Sequence, residues 1–502
     1  MMATMSAARV AASDSATHQG EGDAGHYQAL LARDARFDGR LFVGVTSTGI
    51  YCRPVCRVRT PLRRNCRFFA SAPSAEVAGF RPCLRCRPEL APGLSLVDSS
   101  QALSQQAARL MEQAVADGRD IAMSDLAARL GVTDRHLRRI FKQTHGVAPL
   151  DWLTTRRLLQ AKQLLTDTFL PVTDVAQASG FASLRRFNAA FVERYRINPT
   201  ALRRQRKAPV PHDHGALVLR LAYRPPYDID GALRFLRARA LPGVERVVGL
   251  EIWRTLAWPH ADTWLRGWLG TRFVPERHEV ELSVAPSLAP VIGTLLQRQR
   301  QALDLDADPT LIDAALSALP LPCVPGLRLL GGIDGFEVAV RVILGQQVTV
   351  AAARTLTHRL VETLGEPIDT PFPGLTRLFP SASVVAAADP EVIGRLGIVR
   401  QRVRAIQALA TAVTSGQLEL KPGAPLAQTL ERLRELPGIG EWTVQLVAMR
   451  ALAWPDAFPA TDIGVLNALG TRDAKAVELM SQAWRPWRAY AVMRLWRSLE
   501  NP

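Results

Sequence analysis

The sequence predicts a multidomain protein, mainly α with smaller α/β parts. Three observations carry that expectation. The chain has 502 residues, too many for one hydrophobic core, so three or four domains are expected. Five of its six cysteines fall between positions 52 and 86, which sets one small region apart. Beyond about position 100 most apolar residues recur at helical spacing, interrupted within 216–290 by strand-like alternation.

Charge narrows the kind of partner. Lys+Arg number 62 against 46 Asp+Glu, a formal net charge of +16. A chain this basic calls for a polyanion, usually nucleic acid. No apolar run approaches the ~20 residues that span a bilayer. Residues 1–25, "MMATMSAARVAASDSATHQGEGDAG", lack the apolar core of a signal peptide and read as a disordered tail. The expected location is cytoplasmic, where thiols stay reduced.

The first folded region, 26–92, is defined by its cysteines. Cys52 and Cys56 form C-x3-C, and Cys83 and Cys86 form C-x2-C. Two close thiol pairs separated by a couple of dozen residues have the spacing of a tetrahedral four-cysteine site for one Zn2+. Cys66 is left over and reads as a small buried residue. Between Cys52 and Leu90 there are nine arginines and two glutamates. Such a setting draws a phosphate backbone towards an electron-rich sulfur. Composition alone leaves a structural and a reactive zinc site equally open. The stretch "TSTGIYCRPVCRVR … GFRPCLRCRPE" resembles the zinc domain of the Ada family, the methylphosphotriester-DNA methyltransferases. That resemblance implies that Cys52 both binds zinc and irreversibly accepts a methyl group from a damaged DNA phosphate. Cys56, Cys83 and Cys86 would be the other ligands and Arg59 a DNA contact.

Residues 100–206 are expected to form two helix-turn-helix units. "SDLAARLGV" begins with Ser124 as N-cap, and "TDRHLRRIFKQTHG" restarts with Thr133 as cap. The motif D-[LV]-A-x3-G recurs, Asp125 to Gly131 and Asp174 to Gly180. Each second helix opens with an arginine pair, Arg138–Arg139 and Arg185–Arg186, where a recognition helix faces the major groove. "PLDWLTTRRLLQAKQLL" supplies one connecting helix. Arg135 to Lys207 holds fifteen Lys/Arg against four Asp/Glu, too uneven for an ordinary solvated face. The region resembles the AraC-type double helix-turn-helix of transcriptional activators, which implies promoter DNA and RNA polymerase as partners.

A Pro-, Gly- and His-containing linker at 207–215 precedes an α/β region at 216–290. There "ALVLRLAYRPPYD" and "HEVELSVAPS" alternate like strands. Residues 291–502 read as helical throughout. "LRELPGIGEWTVQLVAMRAL" places Gly438 and Gly440 between two helices, where a phosphate can approach free backbone amides. In "FPATDIGVL", Asp462 taken alone reads as a helix N-cap.

The hairpin resembles the helix-hairpin-helix of the DNA glycosylase superfamily. "YRPPYD", "FLRARA", "VPGLRLLGGIDGFEVAVRVILGQQVTVAAA" and "WRPWRAYAVMRLW" extend the likeness to the 3-methyladenine DNA glycosylase II (AlkA) branch. The resemblance implies an AlkA-type N-terminal domain at 216–290, an all-α glycosylase domain at 291–502 and Asp462 as the catalytic carboxylate. It also implies a base pocket containing Trp442 and Trp496. Two positions depart from the family. Its duplex-wedging leucine falls at Gln347, and a further pocket aromatic falls at Leu446. A Schiff-base lysine of the strand-cleaving relatives falls at Trp442, which implies a monofunctional enzyme. No "PCHR" motif is present and Cys323 does not supply one, so O6-alkylguanine transfer is not expected. The alternative is a zinc-dependent transcriptional regulator whose glycosylase domain is silent.

Overall fold

The computed structural model describes residues 20–500 apart from 34–36, 38–40, 70–74, 77, 87, 89–95 and 206–212. The chain divides into two compact units. One comprises Met1–Ala108 with Met123–Pro149, the other Arg109–Ala122 with Leu150–Pro502.

In the first unit, helix α1 (Gly20–Leu31) starts inside the segment expected to be a tail; residues 1–19 lie outside the described part. A four-stranded sheet follows, β1 (Phe42–Val45), β2 (Ile50–Cys52), β3 (Cys66–Phe69) and β4 (Arg81–Pro82), in the order β3-β1-β2-β4. Phe42, Tyr51, Ala75 and Phe80 form its small core. Helices α2 (Met123–Arg129) and α3 (Asp134–His145) are the first helix-turn-helix. The Thr133 hydroxyl caps α3 by accepting from the His136 amide at 3.2 Å. Ser124 does not cap α2, which already begins at Met123. Its hydroxyl donates to Asp125 instead.

In the second unit, Arg109–Ala122 is followed by the expected long helix α4 (Pro149–Asp167), of which all but Pro149 belongs to it. Next come α5 (Val172–Ala178) and α6 (Leu184–Tyr195), the latter capped by Ser183. The two helix-turn-helix halves thus belong to different units, which the continuous basic pattern of the sequence did not reveal. The linker expected at 207–215 lies mostly outside the described residues.

The expected strands pair within a five-stranded antiparallel sheet. Its strands are β5 (Leu217–Ala222), β6 (Glu245–Val248), β7 (Glu251–His260), β8 (Thr263–Val274) and β9 (Glu279–Val284). Their order is β5-β9-β8-β7-β6, with Leu217 opposite Val284 and Leu219 opposite Leu282. Alternation works as the sequence predicts: Leu217, Leu219, Leu221, Val280, Leu282 and Val284 all face the core.

The same core continues into α4 and α6 through Leu158, Leu164, Phe187 and Phe191. Close packing accompanies it. A Cβ on Gly293 would lie 2.5 Å from Ala116 O and from Gln160 Nε2. Gln163 Nε2 donates to Arg220 O on β5 at 2.8 Å. From Ile292 onward the described chain is helices and loops with isolated β-bridges, Pro367 to Arg377 and Leu375 to Gly243.

Candidate metal centre and candidate active site

Sheet register assembles the cysteines. Strands β2 and β4 run parallel with Tyr51 opposite Pro82, and the Cys83 amide donates to Tyr51 O at 3.0 Å. Cys52 and Cys83, the next residues along, therefore emerge side by side. A turn closed by the Cys56 amide on Arg53 O (3.1 Å) brings Cys56 back. The Arg53 amide donates to Cys86 Sγ at 3.4 Å. All four sulfurs lie within 4.8 Å of one another.

A tetrahedral zinc with ~2.3 Å Zn–S bonds needs S···S separations of about 3.8 Å, so this donor set fits one Zn2+. Electrostatics point the same way. The Cys52 thiol is pushed far up by its hydrogen bond to Cys86, by burial and by the other sulfurs. Cys86 is pushed down to about 5, chiefly by the same bond. Four sulfurs this close cannot all ionise unless a cation neutralises them. Cys52, Cys56 and Cys83 are buried while Cys86 is partly open. Cys66 is buried outside the cluster, its thiol donating to Leu62 O. Arg59 is exposed, three positions beyond Cys56.

Both recognition-helix pairs are exposed, but they differ. Arg138 is held by Asp134 of its own helix through two contacts, 3.0 Å from Nε to Oδ1 and 2.8 Å from Nη2 to Oδ2. Arg139 donates to His136 at 3.0 Å. Arg185 and Arg186 make no ion pair with a described residue.

At the other centre, α7 (Leu426–Glu435) and α8 (Glu441–Arg450) flank the Leu436–Gly440 hairpin. Gly438 has φ +77°, and a Cβ there would press on Ala405 and Gln401. Gly440 opens α8 without a side-chain cap and with open space beside it. A phosphate can therefore reach the helix amides. Arg434 and Glu441 staple the hairpin through contacts of 2.8 and 3.1 Å.

Asp462 is the N-cap of α9 (Ile463–Ala468), as the isolated motif suggested, and it is more than that. Its Oδ1 accepts from the Val465 amide at 3.0 Å and from Trp496 Nε1 at 2.8 Å. Its Oδ2 accepts from Trp442 Nε1 at 2.9 Å. The two tryptophans expected to offer aromatic faces thus also grip the aspartate by their N–H edges. Leu446, one turn beyond Trp442, is packed in the hydrophobic core and has no hydrogen bond to offer there. Gln347 is exposed at the tip between two helices, with φ +54°.

Two neighbours escaped sequence reasoning. A Cβ on Gly464 would fall 2.9–3.0 Å from Trp496 and Asp462 Oδ1, so glycine permits the indole to close. Its signal was a glycine just inside a helix that Asp462 caps. Phe235 lies parallel to Trp496, with ring centroids 6.4 Å apart and planes 13° from each other. Its other neighbours are the guanidiniums of Arg239 and Arg450, 3.7 and 5.3 Å from its centroid. No local pattern links Phe235 with Trp496 or Arg450, which lie far away in sequence.

Comparison with known proteins assigns these regions. Residues 25–89 match the metal binding domain of Ada, and 126–205 a helix-turn-helix domain. Residues 218–334 match the AlkA N-terminal domain, and 340–488 the HhH-GPD superfamily of base excision DNA repair proteins. The fold and its two centres therefore define a class: a zinc-binding, helix-turn-helix regulator joined to a base-excision repair protein. A Mycobacterium tuberculosis protein, "Probable bifunctional transcriptional activator/DNA repair enzyme AlkA", is 39% identical over 488 residues, covering 95% of this chain and 96% of that one. The chain belongs to that bifunctional family.

Two Escherichia coli proteins each match one part. "DNA-3-methyladenine glycosylase 2" is 34% identical over 278 residues, which are 55% of this chain and 95% of that protein. "Bifunctional transcriptional activator/DNA repair enzyme Ada" is 36% identical over 152 residues, 30% of this chain and 41% of Ada. Among the described residues no helix is long and apolar enough to cross a membrane.

Proposed function

We propose that the chain is an adaptive-response protein that senses alkylated DNA at Cys52 and excises alkylated bases, 3-methyladenine among them, at Asp462. The observation that carries the excision half is the grip of three N–H donors on the Asp462 carboxylate beside an uncapped hairpin helix.

Each carboxylate oxygen offers two acceptor sites. Oδ1 has both engaged, by Val465 and Trp496, while Oδ2 has one taken by Trp442. Oδ2 is therefore the oxygen left to face the sugar. An alkylated purine is already cationic and departs with the N9–C1′ electron pair without a strong general acid. Positive charge then develops on the sugar, where Asp462 Oδ2 stabilises it while water adds to C1′ and gives up one proton to that carboxylate. Trp442 and Trp496 hold the carboxylate still, and their π faces attract a cationic base, at about 0.5–2 kcal/mol per contact. Gly438 and Gly440 take the phosphate backbone, and Gln347 fills the space left by the flipped nucleotide. Trp442 offers no amine, so release is hydrolytic and leaves the strand uncut.

At the cysteine cluster, bound zinc supplies the positive charge that keeps the sulfurs as thiolates. Cys52 Sγ attacks the methyl carbon of the phosphotriester. An S–CH3 bond forms, the CH3–O bond breaks, and the phosphodiester anion leaves. Arg59 and its neighbours draw the backbone in. Losing one thiolate charge weakens repulsion from DNA and strengthens promoter binding by Arg138, Arg139, Arg185 and Arg186. RNA polymerase is then the next partner, in the cytoplasm.

The zinc-loaded chain is incubated with methylated duplex DNA while base release and protein mass are followed together. Release of 3-methyladenine, plus one methyl on the peptide containing Cys52, is expected. An adduct without base release would make the glycosylase half silent. Base release without an adduct would leave the zinc structural, and a methyl on the more open Cys86 would move the acceptor.

A further inference from the structure

Next to Gln347 is a side chain that the proposed function leaves without a role. Gln346 sits in the tip between the helices Gly335–Leu344 and Val350–Leu364. Its carboxamide donates to two groups of the hairpin, Gly438 O at 3.0 Å and Thr443 Oγ1 at 2.9 Å. Gly438 is the left-handed turn residue of the hairpin, and Thr443 is buried one turn into the following helix. The backbone of Gln346 is held too, because Arg402 donates from the helix Arg400–Thr414 to Gln346 O.

Three segments far apart in sequence therefore meet on one glutamine. The residue after it, Gln347, keeps a left-handed backbone that L-residues avoid. Such a conformation persists only where the surroundings over-determine it.

We propose that Gln346 and Arg402 are positioning residues that brace the duplex-probing tip against the phosphate-holding hairpin. With the brace in place, Gln347 enters the duplex in fixed geometry to the backbone held at Gly438 and Gly440. Without it, the tip and the hairpin move separately, and the cost falls on opening the base pair. This inference rests on the excision reading above.

The test is single-turnover base release by the zinc-loaded full chain from two duplexes. In one, 3-methyladenine lies opposite thymine; in the other, opposite an abasic site, where no pair has to be opened. Gln346→Leu removes both donors at similar volume, and Arg402→Ala removes the backbone contact. Each is expected to slow release from the paired duplex by about 10- to 100-fold, the scale of an ångström-sized misplacement. The same variants should lose less than about threefold opposite the abasic site, because catalytic geometry at Asp462 is untouched. Arg402→Lys, which retains a donor, should recover part of the loss. Equal losses on both duplexes, or none on either, would overturn the brace. Absence of base release by the unmodified chain on both duplexes would instead overturn the excision reading.

Discussion

The cysteine cluster and the aspartate site are assembled from chain in different ways. All four sulfurs come from Cys52 to Cys86, brought together by two tight turns and one parallel strand pair. The donors on Asp462 come from Val465, three positions on, and from Trp442 and Trp496, 20 and 34 positions away. Behind Trp496 stands Phe235, from the α/β region. The first centre needs a cation to offset its own charge. The second needs only that a large hydrophobic core hold its walls in register. One should therefore respond to metal and the other to packing.

Metal removal is expected to have the largest effect. Structural zinc contributes about 10–16 kcal/mol of apparent binding free energy that doubles as folding free energy. Chelation should abolish methyl uptake and protease resistance around Cys52 to Cys86. Base release from the same sample should persist, and a parallel loss would break the contrast between the two centres.

Asp462→Asn comes second, at about 100- to 1,000-fold in the rate of base release. Asparagine caps helices as well as aspartate does, so the melting temperature should hold and methyl uptake should continue. A large drop in melting temperature would mean that the carboxylate serves the fold first.

Third, Trp496→Phe keeps the ring and removes one N–H from Oδ1. A hydrogen bond to a charged group contributes about 1.5–3 kcal/mol, so base release should slow by about 10- to 100-fold. Gly464→Ala should do likewise by pushing the indole off the aspartate. If Trp442→Phe costs more than Trp496→Phe, Oδ2 is the working oxygen, since Trp442 alone orients it.

The smallest effect separates the two helix-turn-helix halves. Arg185→Ala and Arg186→Ala should each weaken promoter-DNA binding by about 1 kcal/mol or more and lower the salt dependence by about one counterion. Arg138→Ala should cost less, because DNA must first compete with Asp134 for that guanidinium. Titration of binding against salt measures all three.

What was legible in the sequence follows the range of the interactions concerned. Cysteine spacing, the repeated D-[LV]-A-x3-G and the alternating β5 and β9 are short-range patterns, and each has its expected counterpart in the structure. Asp462 was ambiguous, because a cap and a catalytic carboxylate look alike over a few residues. The structure shows the cap, and the indole contacts come in addition. Ser124 has the residue type of a cap but lies inside α2, which begins at Met123, because a helix boundary depends on one hydrogen bond. Helix α1 begins at Gly20, several residues inside the expected tail. Neither difference moves a functional residue.

Which residue types stand where chemistry is possible can be read along the chain: four closely spaced thiols, two basic recognition helices, a glycine hairpin and a carboxylate beyond it. Those features depend on neighbours a few positions away, so periodicity and spacing record them. Long-range packing adds that Gly464 must stay small, that Phe235 backs Trp496, that Gln346 ties the tip to the hairpin across 92 positions, and that the second helix-turn-helix shares a core with the sheet beside it. Each depends on groups that meet in space although their separation along the chain carries no pattern. Such contacts arise from close packing of the whole core, which fixes partners by shape and not by sequence distance.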